Sequence, residues 1–119
     1  MDTHSATTLI VEDDAAVSRA LSRAVRSFGF DVIAFEDGES VLASEIAQAP
    51  ALLLLDLHLP GIAGAELIRE LLHRTPQLRI VVMTGRDITG AREACLAAGA
   101  TSYINKPISR ADLAALLTS

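Results

Sequence analysis

Five short apolar runs alternate along the chain with segments in which apolar residues recur every three or four positions. Continuous apolar runs are typical of strands buried on both faces of a parallel sheet, and the longer spacing is typical of helices with one buried face. The pattern therefore predicts five strands, each followed by a helix. The predicted strands cover residues 8–11, 31–35, 51–55, 79–83 and 101–104. The predicted helical faces carry Val17, Leu21, Val25 and Phe28, then Val41, Leu42 and Ile46, then Leu67, Ile68, Leu71 and Leu72, then residues from about 89 to 98, and finally Leu113, Leu116 and Leu117.

Polar residues and glycines mark the ends of these predicted helices. Asp14 stands just before the first helix, where an aspartate side chain caps free backbone N–H groups. Gly29 and Gly99 follow the first and fourth helices, where a left-handed residue is favoured. The third helix is expected to stop near Pro76, and the segment beginning at Ser109 resembles a capping box for the fifth.

The alternation of strand and helix, with short links and no repeat, predicts an α/β protein built on a doubly wound parallel sheet. Residues 1–119 are interpreted as a single domain with a core of about 7–118. No effector domain is expected within the chain, because the last helix runs directly into Ser119.

Composition and charge narrow the classes of function. Half of the residues are hydrophobic but only 3% are aromatic, which favours a helix-rich α/β protein over an all-β sandwich. The net charge is −5 and the ten lysine and arginine residues are scattered, so direct binding of nucleic acid is not expected. We expect a cytoplasmic protein without a membrane span, since no apolar run is long enough to cross a bilayer and the start lacks a signal peptide. The single cysteine, Cys95, is interpreted as a core residue.

Acidic residues follow the first and third predicted strands. Glu12, Asp13 and Asp14 come directly after the first strand, and Asp56 comes directly after the third. Open α/β sheets bind ligands at the carboxyl ends of their strands. If these strands are neighbours, the carboxylates repel one another and require a cation, and an all-oxygen site suits Mg²⁺.

Two further polar residues follow strands at the same predicted edge. Thr84 follows the fourth strand and Lys106 follows the fifth. A carboxylate beside a cation can act as a nucleophile toward phosphorus, with Asp56 as the candidate. Lys106 and Mg²⁺ would stabilise charge on the phosphoryl oxygens, and the hydroxyl of Thr84 would bind one of them.

Taken together, these segments resemble the receiver domains of bacterial two-component response regulators from about residue 8 to residue 117. The segments that carry the resemblance are Ile10-Val11-Glu12-Asp13-Asp14, Leu55-Asp56-Leu57-His58-Leu59-Pro60-Gly61 with Gly64, Val82-Met83-Thr84-Gly85, Ala98-Gly99-Ala100, and Tyr103-Ile104-Asn105-Lys106-Pro107. The resemblance implies a (βα)5 flavodoxin-like fold with strand order 2-1-3-4-5. It also implies a phosphorylation-dependent switch that is not a turnover enzyme.

The resemblance assigns a role to each carboxylate and to one backbone oxygen. Asp56 corresponds to the phosphoacceptor and also binds the metal. Asp13 corresponds to the direct metal ligand, and Glu12 to a residue that holds the metal through water. The backbone carbonyl of His58 supplies a third protein oxygen for Mg²⁺. The His58 side chain is expected to point outward, because one imidazole among oxygens suits Mg²⁺ poorly.

The resemblance also assigns the phosphoryl-binding and switch residues. Thr84 and Lys106 correspond to the phosphoryl-binding pair, and Thr84 with Tyr103 to the switch. In the family the aromatic ring turns inward when the threonine is drawn to the phosphoryl group. The bond between Lys106 and Pro107 is expected to be cis. His58 and Arg86, two residues after Asp56 and Thr84, stand at positions that influence phosphoryl lifetime in the family.

Simpler interpretations of these residues remain open at this point. Asp14 is favoured as a helix cap over a metal ligand. The alternative for Thr84, that it only satisfies a backbone group, is disfavoured. The alternative for Lys106 is a surface position, although Lys-Pro behind a strand directs it toward the site, and the alternative for Tyr103 is simple packing within the strand.

Alternative functions are a phosphatase of the haloacid dehalogenase kind, a flavodoxin-type electron carrier and a degenerate receiver that only binds a partner. The phosphatase family places an acid two residues after its nucleophile, where this chain has His58. Acids at residues 12–14 would repel a flavin phosphate. The intact set of acids with Thr84 and Lys106 disfavours a degenerate receiver.

The resemblance implies several partners. A sensor histidine kinase or a phosphotransfer protein would supply the phosphoryl group. An output domain beyond Ser119, or a separate partner, would respond to a change in helix 4, strand 5 and helix 5. The same surface would support a homodimer.

Overall fold

The structure, a computed structural model, describes residues 7–45 and 52–118. It contains the five strands and five helices that the apolar pattern predicts. The strands are β1 (Thr7–Val11), β2 (Asp31–Phe35), β3 (Leu52–Asp56), β4 (Arg79–Thr84) and β5 (Ser102–Asn105). The helices are α1 (Ala15–Ser27), α2 (Gly38–Ala43), α3 (Gly64–Arg74), α4 (Ala91–Ala98) and α5 (Arg110–Thr118).

All five strands pair in parallel in the order β2-β1-β3-β4-β5, which confirms the predicted fold. β3 lies at the centre, and every one of its residues is buried, as expected for a strand covered on both faces. β2 is added on one side of β1, and β3, β4 and β5 follow in order on the other side. The carboxyl ends of β1 and β3 therefore lie side by side, at the point where the order of the strands reverses.

The sheet separates two hydrophobic cores. One core joins the sheet to α2, α3 and α4 and includes Leu53, Leu67 and Cys95. The other joins the opposite face to α1 and α5 and includes Val25 and Leu113. The interpretation of Cys95 as a core residue is confirmed, since it is 1% exposed.

Asp14 and Gly99 cap helix ends as predicted. The carboxylate of Asp14 accepts hydrogen bonds from the N–H groups of Ala16 (2.9 Å) and Val17 (3.1 Å), so its role as a cap is confirmed. Gly99 ends α4 at φ 117°, and a Cβ there would collide with a methyl carbon of Leu72. Glycine is therefore required at this position for two reasons, the left-handed backbone and the close approach of α3.

The observed boundaries differ from the predicted ones at a few positions. β3 and β4 extend one residue further, so that Asp56 and Thr84 are the last residues of their strands. α4 begins at Ala91 rather than near residue 89, because Gly90 adopts the left-handed conformation with φ 85°. Predicted positions 46 and 51 lie outside the described residues. Within the described residues, no helix has the length and apolar character needed to span a membrane.

Candidate functional site

Three carboxylates meet where β1 and β3 end. Val11 lies opposite Leu55 in the parallel pairing, so Glu12 and Asp56, the next residues, are neighbours. One oxygen from each of Glu12, Asp13 and Asp56 lies within 4.8 Å of the others. Glu12 is 2% exposed and Asp56 is 3% exposed, whereas Asp13 is exposed. The sequence-based expectation that these acids converge is met.

Lys106 brings one positive charge to the carboxylates. Its N–H donates to the carbonyl of Thr84 (2.8 Å), which anchors the chain beyond β5, and its bond to Pro107 is cis, the isomer that the resemblance implies. Its ammonium donates to Glu12 Oε1 at 2.6 Å and lies 3.1 Å from Asp56 Oδ1. We call Glu12, Asp13, Asp56 and Lys106 the acidic pocket. One ammonium group faces three carboxylates there.

The pKa shifts in the acidic pocket follow from this excess of negative charge. Burial raises the pKa of Glu12, and the charge of Asp56 adds to the rise, although the hydrogen bond from Lys106 acts in the opposite direction. Burial alone would lower the pKa of Lys106, but its contacts with Glu12 and Asp56 outweigh burial and raise it. Both groups therefore hold their protons more tightly than usual, Glu12 chiefly because it is buried and Lys106 because two carboxylates contact it.

The donor set of the acidic pocket fits a hard divalent cation. Asp56 Oδ1 is buried and, among the described residues, no donor forms a hydrogen bond to it. It lies within ion-pair distance of the Lys106 ammonium, but not in a geometry that makes a hydrogen bond. A buried charged oxygen is costly unless it is compensated, and clustered carboxylate oxygens are the ligands that Mg²⁺ prefers. The residues present therefore fit Mg²⁺.

Thr84 is already engaged by its neighbours. Its hydroxyl donates to the carbonyl of Arg86 (2.6 Å) and accepts from the N–H of Arg86 (3.1 Å). His58 Nε2 lies 2.8 Å from the same carbonyl and 3.2 Å from Thr84 Oγ1. Since a carbonyl can only accept, His58 carries a hydrogen on Nε2. The simpler interpretation of Thr84, that it satisfies a backbone group, describes its contacts in this structure.

The prediction that the His58 side chain points outward is wrong. The side chain is only partly exposed and reaches across from the end of β3 to the segment that follows β4. The expectation rested on the poor match between imidazole and Mg²⁺, which excludes a metal bond but says nothing about hydrogen bonds. The carbonyl of Arg86 and the hydroxyl of Thr84 supply those hydrogen-bonding partners.

Tyr103 lies on the same face of the sheet as Thr84, because it is opposite Val82 in the pairing of β4 with β5. The residue is 8% exposed, and its hydroxyl donates to Asp87 Oδ1 at 2.6 Å. Burial, the hydrogen bond to Asp87 and the charge of Asp87 together raise the pKa of Tyr103 to about 12. Sequence analysis did not identify Asp87, since its relation to Tyr103 depends on the path of the loop between β4 and α4.

The comparisons with known proteins agree with this geometry. Residues 8–118 match the response regulator receiver domain family. The DNA-binding transcriptional regulator NtrC of Salmonella typhimurium is 32% identical to this chain over 108 residues, which cover 91% of this chain and 23% of that protein. The chain spans less than half of the length of the first curated relatives that it matches.

Solved receiver domains share the fold. A CheY-like response regulator receiver domain protein of Methanospirillum hungatei has a TM-score of 0.84 at 26% identity, covering 94% of this chain and 90% of that one. The receiver domain of the sensor histidine kinase PA1611 of Pseudomonas aeruginosa, with a magnesium ion coordinated in its active site cleft, has a TM-score of 0.81 at 28% identity, covering 96% and 95%. The comparisons do not support the alternatives, whether phosphatase, electron carrier or degenerate receiver. The chain therefore belongs to the response regulator receiver domain family of two-component signal transduction.

Proposed function

We propose that this receiver accepts a phosphoryl group on Asp56 from a phosphohistidine, in a reaction that requires Mg²⁺. The observation that carries the proposal is the state of Asp56 Oδ1. It is a buried carboxylate oxygen without a hydrogen-bond donor among the described residues, and an ammonium lies 3.1 Å away. A buried carboxylate beside a cation is the kind of group that acts as a nucleophile toward phosphorus.

In this reaction a carboxylate oxygen of Asp56 forms a bond to phosphorus. The bond from phosphorus to the nitrogen of the donor histidine breaks, and the electron pair stays with the imidazole. Asp13 and Asp56 would hold the metal with the backbone carbonyl of His58, and Glu12 would hold it through water. The metal would supply positive charge that the acidic pocket lacks.

Lys106 and Thr84 complete the proposed arrangement. Lys106 already contacts Asp56, and its raised pKa keeps it charged at neutral pH to neutralise a phosphoryl oxygen. Thr84 would exchange the carbonyl of Arg86 for a phosphoryl oxygen as the acceptor of its hydroxyl hydrogen. The phosphorylated state would then differ from the free state at Thr84 and along the segment from β4 to α4. On this proposal the chain is a regulatory acceptor and not a turnover enzyme.

The proposed partners are a cytoplasmic histidine kinase, or a phosphotransfer protein, and an output domain or partner. That partner would respond to the surface formed by α4, β5 and α5, through which the receiver would also form a homodimer. NtrC is named as a DNA-binding regulator, and this chain covers 23% of it. We propose that any contact with DNA is made outside the receiver, since the net charge of this chain is −5 and its cations are scattered.

A phosphodonor assay tests the proposal. Incubation with acetyl phosphate and Mg²⁺ should add one phosphoryl group to the parent protein, detected by intact-protein mass spectrometry and labile to hydroxylamine. Asp56→Asn should add none, because the amide is not a nucleophile. Asp31→Asn, at an exposed carboxylate that begins β2, should match the parent. Equal incorporation in Asp56→Asn and the parent would move the acceptor elsewhere and contradict the proposal.

A further inference from the structure

The loop of residues 57–63 joins β3 to α3 and includes His58, whose backbone carbonyl is a proposed ligand of Mg²⁺. The His58 side chain holds the start of this loop toward β4, with Nε2 2.8 Å from the carbonyl of Arg86. The end of the loop has no such side chain of its own. Ala63, which precedes α3, makes no side-chain capping hydrogen bond. The contact that holds the end of the loop comes from another helix.

Glu39, in the first turn of α2, makes that contact. Its Oε2 accepts a hydrogen bond from the N–H of Ile62 at 3.0 Å. A carboxylate acceptor carries charge, so this hydrogen bond is stronger than one between two neutral groups. A glutamate on a neighbouring helix therefore holds the backbone of the loop at Ile62, four residues after His58.

Two glycines allow α2 and the loop to approach each other this closely. A Cβ at Gly61 would collide with the carboxylate of Glu39, and a Cβ at Gly38 would lie 2.6 Å from the carbonyl oxygen of Ile62. Gly38 is the first residue of α2, and the side chain of Asp37 caps that helix. The start of α2 is thus fixed by its own cap and lies directly against the loop.

The residues between His58 and Ile62 show why a second attachment matters. Leu59 is 9% exposed and belongs to the core that joins the sheet to α2, α3 and α4, and Pro60 after it fixes one backbone angle. One buried side chain leaves a loop free to pivot about that point. The hydrogen bond at Ile62 removes this freedom and sets the orientation of the loop, and with it the direction of the His58 carbonyl.

We infer that Glu39 is a positioning residue for the metal site, because it holds the loop that carries the His58 carbonyl. The role of that carbonyl rests on the function proposed above, whereas the contact between Glu39 and Ile62 does not. Glu39 lies outside the cluster of carboxylates that fits the metal, so its removal leaves every proposed ligand in place. Groups that orient metal ligands change metal affinity although they do not touch the metal.

Two NMR measurements on one isotope-labelled sample of each protein test the inference. The first is amide hydrogen exchange without metal, and the second is a titration of amide chemical shifts with Mg²⁺. In Glu39→Ala the amide of Ile62 should exchange about tenfold faster than in the parent, because a hydrogen bond to a charged acceptor is lost. The dissociation constant for Mg²⁺ should rise about tenfold, the lower end of the range for groups that orient metal ligands.

Two further variants separate the hydrogen bond from the charge. Glu39→Gln removes the charge but keeps an oxygen acceptor, so it should recover most of the exchange protection and most of the Mg²⁺ affinity. Glu66→Ala removes an exposed carboxylate from the first turn of α3 and should behave as the parent does. Equal losses of affinity in Glu39→Gln and Glu39→Ala would assign the effect to charge alone and overturn the inference.

Other outcomes would also overturn it. Unchanged exchange at Ile62 in Glu39→Ala would show that this hydrogen bond does not hold the loop. Equal Mg²⁺ affinity in the parent and Glu39→Ala would show that the metal site does not depend on Glu39, and would leave the proposed function intact. A parent that does not bind Mg²⁺ would instead contradict the metal site of the proposed function, and the inference with it.

Discussion

The acidic pocket and the Asp87–Tyr103 pair lie at the same edge of the sheet. They differ in whether their charged and hydrogen-bonding groups have partners. In the acidic pocket three carboxylates share one ammonium, and the buried oxygen Asp56 Oδ1 has no hydrogen-bond donor among the described residues. In the second region the hydroxyl of Tyr103 has an acceptor in Asp87, and the hydroxyl of Thr84 has one in Arg86.

The difference indicates what each region does. Groups whose hydrogen bonds are complete hold a conformation, because each partner loses its contact if the segment moves. The uncompensated negative charge of the acidic pocket has the opposite consequence, since binding of a cation there lowers the free energy of the protein. The edge of the sheet thus places a cluster of carboxylates that fits a cation beside a pair of side chains that are already hydrogen-bonded to each other.

The largest effect is expected from removing the one cation of the acidic pocket. Lys106→Met leaves Glu12 and Asp56 buried without an ammonium, and we expect a loss of about 3 kcal/mol in the free energy of unfolding at neutral pH. Urea denaturation would measure it. Arg23→Met, which removes an exposed cation from α1, should change stability by less than about 0.5 kcal/mol. An equally small change in Lys106→Met would contradict the claim that the buried carboxylates Glu12 and Asp56 depend on this ammonium.

The loss of unfolding free energy in Lys106→Met should depend on pH. The pKa of Glu12 is raised in the folded state, so the folded protein binds this proton more tightly than the unfolded chain does. Because Lys106 lowers the pKa of Glu12, that pKa is higher still in Lys106→Met, and the deficit of the variant should shrink as the pH falls through this higher pKa. In the parent, the contribution of Lys106 is present at neutral pH and is lost only as the pH rises through its folded pKa, above 10.5.

A smaller effect is expected from Mg²⁺. At free Mg²⁺ about ten times the dissociation constant, the parent should gain about 1.4 kcal/mol by mass action, seen as a higher melting temperature. Asp13→Ala should lose most of this gain, and its metal-free form should be more stable than the metal-free parent, because a like charge has been removed. The same Mg²⁺ response in both proteins would exclude Asp13 as a ligand.

The smallest effect is expected at a carboxylate beside the pocket whose hydrogen bonds are complete. Asp14→Ala removes the cap of α1 and should cost about 1 kcal/mol in chemical denaturation. Unlike Asp13→Ala, it should leave the Mg²⁺ response unchanged, since Asp14 serves the helix. Loss of that response would place Asp14 in the metal site.

Periodicity predicts the strands and helices, and the family resemblance supplies the strand order that makes β1 and β3 neighbours; together they predict that the acids converge. The leucines of β3 require burial on both faces, and the register of parallel strands then places Asp56 beside Glu12. The cap at Asp14 follows from local chemistry as well.

Two contacts at the site that sequence analysis missed depend on loop paths. His58 bonds to the carbonyl of Arg86, and Tyr103 bonds to Asp87, across the segment that leaves β4. Backbone carbonyls carry no sequence signal, and the direction of a loop of six residues has no period. The error about His58 arose there, as did the omission of Asp87.

The two hydrophobic cores differ in how early during synthesis all of their residues have left the ribosome. The core beneath α2, α3 and α4 includes Leu53, Leu67 and Cys95, but the core on the other face needs Leu113 and Leu117 from α5. Until residue 117 has emerged, the face that carries Leu54 lacks part of its cover. During synthesis that apolar face remains open to chaperones or to wrong partners after much of the opposite face has been made.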